Sequence, residues 1–271
     1  YGEIMKNFYI LFFGMIFLVS CGQSSNSNDA NITYDLVGVE FYNEFIPCVG
    51  GEDFNQENVD SMMKGWRSLN ISDNLLGAWG YVPASQETRF DNGWWELQWS
   101  SKEDADAAWA EWIQDEEAMA FMADHESVMV CDGDARGVWD FAFHRDVESF
   151  GPMPEDGSFF SEFFPCKYND GKSSADLIES IALYNEWLDG LDVAGAYAYG
   201  IYSGDGSNEL ADFWWGNFHE SAESAAIGNE NWIESGGNAR ASLEATAACD
   251  VPDLYNSGVI YDPARPAFAK S

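Results

Sequence analysis

The sequence predicts an α+β fold made of two tandem βαββαβ units, and three observations predict it. The chain repeats itself: Phe41-Tyr42-Asn43-Glu44-Phe45-Ile46-Pro47-Cys48 returns as Phe159-Phe160-Ser161-Glu162-Phe163-Phe164-Pro165-Cys166, Trp94-Trp95 as Trp214-Trp215, Trp112-Ile113 as Trp232-Ile233 and Cys131-Asp132 as Cys249-Asp250. Within each copy the hydrophobic period changes in the order strand, helix, strand, strand, helix, strand. The offset between copies widens by two residues in the middle and then closes again, as expected where only surface connections vary.

The elements follow in order. Residues 1–20 read as a secretory signal starting at Met5, in which Lys6 precedes an apolar run over 8–19 that is too short to span a bilayer. The run closes on Leu18-Val19-Ser20-Cys21, which resembles the lipobox of bacterial lipoproteins. That resemblance implies cleavage before Cys21 and a lipid on Cys21, hence a place in the cell envelope. Gly22 follows where inner-membrane retention favours Asp, so the resemblance points to the outer membrane. Residues 21–35, rich in Ser and Asn, have the composition of a flexible tether.

The first repeat spans 36–148. A strand over 39–46 is expected to stop at Pro47, which cannot donate to a ladder. Val59, Met62, Met63, Trp66 and Leu69 then recur at helical spacing. Two strands follow, over 76–81 and 93–99, and the second helix is expected to begin at Ser100, with Glu103 completing a capping box. It buries Ala105, Ala108, Trp109, Trp112 and Ile113, and a strand over 138–143 ends the unit. Residues 149–158 carry the Gly/Pro punctuation of a linker. The second repeat, 159–264, has its first helix at Leu177, Ile181, Tyr184, Leu188 and Leu191, with Ser173 and Asp176 as a start signal. Extra helical segments follow each second helix, over 116–125 and 238–248. Residues 265–271 form a tail.

That element order resembles the ferredoxin-like unit, and two such units in one chain resemble the dimeric α+β-barrel superfamily in its fused, pseudo-dimeric form. The resemblance implies sheets around a shared cavity with helices outside. The superfamily includes heme-degrading and cofactor-free monooxygenases, dismutating enzymes and ligand-binding proteins, so heme enters only as its implication.

Composition narrows the function further. A formal charge of −35, from 47 acidic and 12 basic residues, excludes nucleic acid as a partner, because phosphates would meet a field of their own sign. The membrane is then approached through the lipid anchor only. Aromatic residues make up 16% of the chain, more than a small core needs, so some line a cavity or a contact patch. The acidic loops Asp132-Gly133-Asp134 and Asp205-Gly206-Ser207 lack the remaining ligands of a calcium loop, and no metal is expected. With Cys21 set aside for lipid, four cysteines allow three pairings. The equal intervals from Cys48 to Cys131 and from Cys166 to Cys249, in an oxidising compartment, favour those two disulfides.

Alternation along 93–99 places Trp95, Leu97 and Trp99 under the helices and Trp94, Glu96 and Gln98 on the other face. In the second copy Trp214, Gly216 and Phe218 correspond to the latter set, and His219 stands where Trp99 does. A shared interior is therefore expected to hold Trp94, Glu96, Gln98, Trp214 and Phe218, joined by at least one of Glu44 and Glu162. A carboxylate buried in an aromatic strand has a raised pKa and can act as acid, base or ligand anchor. Of the three histidines, His144 and His219 are weak catalytic candidates, and none has a counterpart in the other repeat. Phosphate loops, His-Glu-x-x-His helices and Gly-x-Ser-x-Gly elbows are missing from the sequence. The expectation is an envelope protein that binds a small apolar or aromatic ligand, or another envelope protein, without cofactor. A barrel enzyme acting as a monooxygenase or on heme is the alternative, and a structural lipoprotein without a pocket is a third reading.

Overall fold

The computed structural model describes residues 36–191, 195–204, 206 and 208–271. The signal, Cys21, the tether, Asp205 and Ser207 lie outside the described residues. The strands of the first repeat are β1 (Glu40–Gly50), β2 (Leu75–Pro83), β3 (Gly93–Trp99), β4 (Met129–Cys131) and β5 (Gly137–Phe143), and its helices are α1 (Gln56–Arg67), α2 (Lys102–Trp112) and α3 (Glu116–Asp124). In the second repeat they are β6 (Ser158–Tyr168), β7 (Tyr197–Ser203), β8 (Phe213–His219), β9 (Ala247–Cys249) and β10 (Asp253–Tyr261), with α4 (Ser174–Asp189), α5 (Ala222–Ser235) and α6 (Gly237–Thr246).

Each repeat forms an antiparallel sheet, β2–β3–β1–β5 in the first and β7–β8–β6–β10 in the second. The sheets do more than face each other. β5 pairs with β7 and β10 pairs with β2, so the strands close into one ring that runs β1–β3–β2–β10–β6–β8–β7–β5 and back to β1. Closure removes the sheet edges that each repeat would otherwise expose. The fold is that of a dimeric α+β barrel with both halves in one chain.

Side-chain alternation then sorts the core into three bodies. Inside the ring, Phe41, Tyr81, Phe141, Phe163, Tyr202 and Phe218 belong to one cluster drawn from both repeats. Outside it, Trp66, Trp95, Leu97 and Trp99 pack under the helices of the first repeat, and Tyr184, Tyr199, Phe213 and Trp215 under those of the second. Both faces of the sheet are thus covered, which explains strands that are aromatic at successive positions. Gly200 is needed for this packing, since a Cβ there would stand 2.2 Å from the Phe141 ring.

Three local expectations are corrected. Ile113, expected on the buried face of the second helix, is 65% exposed at its C-terminal end. β1 does not stop at Pro47 but runs on to Gly50. Pro47 accepts from Asp132 N at 2.9 Å, so its nitrogen faces the same side of the strand. There the partner changes from β5 to β4 and no ladder donor is needed. The cap of α2 is Ser101 rather than Ser100: its Oγ accepts from Asp104 N at 3.2 Å, and Glu103 plays no part. The start of α4 is as expected, with Asp176 reaching back to the Ser173 N–H at 3.0 Å. The extra helices α3 and α6 lead into β4 and β9, whose cysteines form the disulfides Cys48–Cys131 and Cys166–Cys249.

Candidate functional site

The barrel interior is built by the inward positions of both repeats. β3 supplies Trp94, Glu96 and Gln98, and β8 supplies Trp214 and Phe218, as alternation predicts. At one mouth they leave a cavity of about 260 Å³ walled by Phe45, Trp94, Trp139, Phe163 and Trp214, with the Tyr81 and Tyr202 rings at its floor. Phe90, on the β2–β3 connection, packs edge-on to Trp94 at 5.2 Å and helps to close the rim. That connection is pinned across the repeats, because Arg89 donates through Nη1 at 2.9 Å and through its backbone N–H at 2.7 Å to the buried carboxylate of Asp253 on β10. Gln98 and Phe218 lie deeper, around a void of about 20 Å³ that Glu96 also borders.

Below the floor, Glu96 is 1% exposed. Tyr81 donates to its Oε2, Tyr202 to Oε1 at 3.0 Å, and Asn43 Nδ2 to Oε1 at 2.5 Å. Burial pushes the Glu96 carboxyl up to about 7, against these three donors, which pull it down. Burial, followed by the Glu96 charge, holds the Tyr81 and Tyr202 hydroxyls well above the usual phenol range. The result is a carboxyl group that changes protonation near neutrality. It is connected to the cavity through two hydroxyls that can each pass on a proton. Trp214 lines the cavity, but its Nε1 is buried without a hydrogen-bond partner, while Trp94 Nε1 donates to Tyr255 Oη at 3.2 Å.

Glu44 and Glu162 are not in this interior, contrary to expectation. Both are buried, at 1% and 3% exposure, but on the helix-facing side of β1 and β6. Glu44 Oε2 accepts from Trp99 Nε1 at 2.9 Å and Trp109 Nε1 at 2.7 Å, and Oε1 pairs with Arg136 Nε at 2.7 Å. Glu162 meets His219 Nε2 at 3.2 Å, Asn229 at 2.8 Å and Asn217 at 3.3 Å. Burial raises the Glu162 pKa, yet these donors outweigh it and leave the carboxylate below its usual range. The duplication has kept a buried acid in each half and replaced its partners. Each acid sits behind a cleft between helices and sheet, about 740 Å³ in the first repeat and about 560 Å³ in the second.

None of the three histidines borders the barrel cavity, and His219 borders the cleft of the second repeat. His219 is engaged through Nε2 with Glu162, and its opposite edge lies under α5, where a Cβ on Gly228 would be 3.4 Å from Cε1 and 3.8 Å from Nδ1. His125 Nδ1 is bonded to the Phe121 carbonyl at 2.8 Å. His144, half-buried beyond the end of β5, borders neither the barrel cavity nor either cleft, and burial lowers its pKa. Among the described residues no group of three or more His, Cys, Asp or Glu side chains is placed to hold a metal ion.

Sequence reasoning missed Tyr81, Tyr202 and Asn43, the three partners of Glu96. Tyr81 and Asn43 were within reach of it: Tyr81 pairs with Trp94 and Asn43 with Gln98, so both share the inward phase. Tyr202 carried the same signal, since it pairs with Trp214 on β8; what the sequence could not give is its reach to Glu96, because the seam where Tyr202 meets Phe141 is set by closure.

No family profile and no curated protein matches this chain. Solved structures do. A provisionally assigned chlorite dismutase superposes with a TM-score of 0.51 over 81% of this chain and 94% of its own, at 10% identity. A provisionally assigned monooxygenase from Lactobacillus acidophilus gives 0.49 over 82% and 94%, at 7% identity. An arginine variant of chlorite dismutase from Candidatus Nitrospira defluvii gives 0.46 over 81% and 92%, at 11% identity. At such identities the first of these supports the fold and leaves the chemistry to the residues of this chain.

Proposed function

We propose that this chain is an envelope protein, tethered to the outer membrane through a lipid on Cys21, whose barrel takes a small uncharged aromatic molecule at its mouth. The observation that carries this reading is the aromatic cavity of about 260 Å³ that ends on two hydroxyls joined to one buried carboxyl. Five of its walls are rings, which suits a flat apolar guest. The net charge of −35 disfavours anionic ligands.

The enzyme reading is favoured by a separate observation, the Glu96 carboxyl held at about 7. A general acid or base works best when its pKa lies near the operating pH. A phenolic or enolisable ligand whose hydroxyl reached Tyr81 and Tyr202 would exchange its proton with Glu96 through them. The similarity in fold to structures named for chlorite dismutase and monooxygenase activity is analogy in support of catalysis.

Calorimetric titration of the purified protein with 2-naphthol tests the binding reading. Saturable binding that Trp214→Ala weakens at least tenfold is expected, and no binding to the wild type would overturn it. Turnover of a phenol with a pH limb near 7 that Glu96→Gln abolishes would establish the enzyme. A heme absorbance in protein recovered from cells would overturn the cofactor-free reading. For the anchor, Cys21→Ala is expected to move the protein from the membrane to the soluble fraction and to abolish fatty-acid labelling.

A further inference from the structure

The duplication has left two helix–sheet clefts of common descent and different charge. The cleft of the first repeat, about 740 Å³, is walled by Trp66, Trp95, Trp99, Trp109 and Trp112. Trp109 and Trp112 are half-buried and so keep ring surface open to a guest. Glu111, Asp115, Asp132 and Asp134 border the same cleft, and all but the half-buried Asp115 are exposed. Asp115 and Asp132 cap turns by accepting backbone N–H groups through Oδ1. None of the four acids forms an ion pair with a described residue.

The second repeat is the internal control. Counted from the matched pairs Trp112-Ile113 with Trp232-Ile233 and Cys131-Asp132 with Cys249-Asp250, Glu111 corresponds to Asn231, Asp115 to Ser235 and Asp134 to Pro252. Trp109 corresponds to Asn229 in the same way. The acids that border the second cleft, Glu244 and Asp250, are both paired, with Arg240 at 3.7 Å and with Arg89 at 3.1 Å. Of the two clefts, the first alone joins unbalanced negative charge to a wall of indoles.

That combination is complementary to an organic cation. A cation over a tryptophan face is attracted by the ring quadrupole, and more strongly as water is excluded. The cleft already shows such a contact, since the Arg136 guanidinium lies 4.8 Å from the centre of the Trp109 ring. Arg136 does not neutralise the four acids, because its partner is Glu44, Nε to Oε1 at 2.7 Å. A metal ion fits poorly: among the described residues no group of three or more His, Cys, Asp or Glu side chains is placed to hold one. Flat apolar walls suit a cation whose nitrogen is clad in carbon and bears a ring.

We infer that the helix–sheet cleft of the first repeat is a second ligand site, distinct from the barrel mouth, for a quaternary ammonium with an aromatic arm.

The full chain, with nitrogen-15 in its indoles, is titrated with phenyltrimethylammonium and with tert-butylbenzene, its neutral isostere. The cation is expected to bind saturably and to move the Trp109 and Trp112 Nε1–H resonances. Those of Trp232 in the second cleft, and of Trp94 and Trp214 at the barrel mouth, should stay in place. Raising salt from about 0.05 M to about 0.5 M should weaken the cation without weakening tert-butylbenzene. The triple variant Glu111→Gln, Asp115→Asn, Asp134→Asn keeps a capping oxygen at position 115. It should weaken the cation roughly tenfold, the combined effect of three partly screened charges, and leave the neutral isostere unchanged. No binding of the cation, shifts confined to Trp94, Trp214 or Trp232, an affinity indifferent to salt and to the triple variant, or equal weakening of both molecules would overturn the site.

Discussion

Tyr202 donates to Glu96 at 3.0 Å, and that bond joins the second repeat to the first across the barrel interior. With Tyr81 of the first repeat on the other carboxyl oxygen, the group lies at the centre of the interface between halves. A titratable residue there ties pH to the integrity of the barrel.

The Glu96 carboxyl rises from 4.5 to about 7 on folding, so folding takes up a proton in that interval. Its stabilising contribution is complete below the unfolded value and is lost as pH rises through the folded one. Over the full interval the change is about 3 kcal/mol. Asp262, raised to about 6 mainly by burial, contributes with the same sign. Urea unfolding at about pH 5 and about pH 8 should therefore show wild type losing stability with pH, and Glu96→Gln losing less. An identical slope in both would show that Glu96 titrates normally.

Removing Arg136 should expose the cost of the acid behind it. Glu44 is 2% exposed in its side chain and Arg136 29%, so Arg136→Met leaves a buried carboxylate with only two indole donors. A loss of about 3 kcal/mol is expected, the lower end for a broken buried pair, because water reaches the Arg136 side. The double substitution with Glu44→Gln should recover much of that loss. If single and double variants unfold at the same urea concentration, the pair contributes nothing by its charge.

Much of the arrangement was legible in the sequence because duplication and alternation act together. The inward phase of β3 follows from Trp95, Leu97 and Trp99 alternating with Trp94, Glu96 and Gln98. The same cue failed for Glu44 and Glu162. In β1 and β6 aromatic residues stand on both faces, so neighbouring rings did not tell the barrel side from the helix side. The bond from Tyr202 to Glu96 was beyond local reasoning, since it depends on β5 meeting β7 across the closure. The length of β1 was hidden for a related reason: Pro47 ends a ladder only where a ladder partner exists, and none is needed at the junction of β4 and β5.

Each disulfide ties the end of a first strand to the short strand that follows an extra helix, with a sequence separation of 83 in both repeats. The chain-entropy account gives about 4–5 kcal/mol for closing a loop of that length. Replacing Cys48 and Cys131 by Ser should lower the melting temperature, as should the equivalent replacement of Cys166 and Cys249. Peptide mapping without reductant should recover only the within-repeat pairs. A crossed pair, or free thiols in protein taken from the envelope, would contradict the fold.

The closing seams decide what an isolated half can do. In the whole chain β2 pairs with β10, which is the second repeat's counterpart of β5, and β5 pairs with β7, the counterpart of β2. The first repeat alone, residues 36–148, would expose both edges together with the inward rings of Phe41, Phe45, Trp79, Tyr81 and Phe141. An apolar face of that kind marks an interface rather than a free surface. Two copies related by a twofold axis can satisfy it, because β2 of each would meet β5 of the other at both seams. The half is therefore expected to run as a dimer in light scattering, or to precipitate, and its unfolding should depend on protein concentration. A soluble monomer that unfolds cooperatively and independently of concentration would mean that the repeats fold as separate beads. The barrel mouth, with Glu96 held between Tyr81 and Tyr202, would then have no reason to persist in solution.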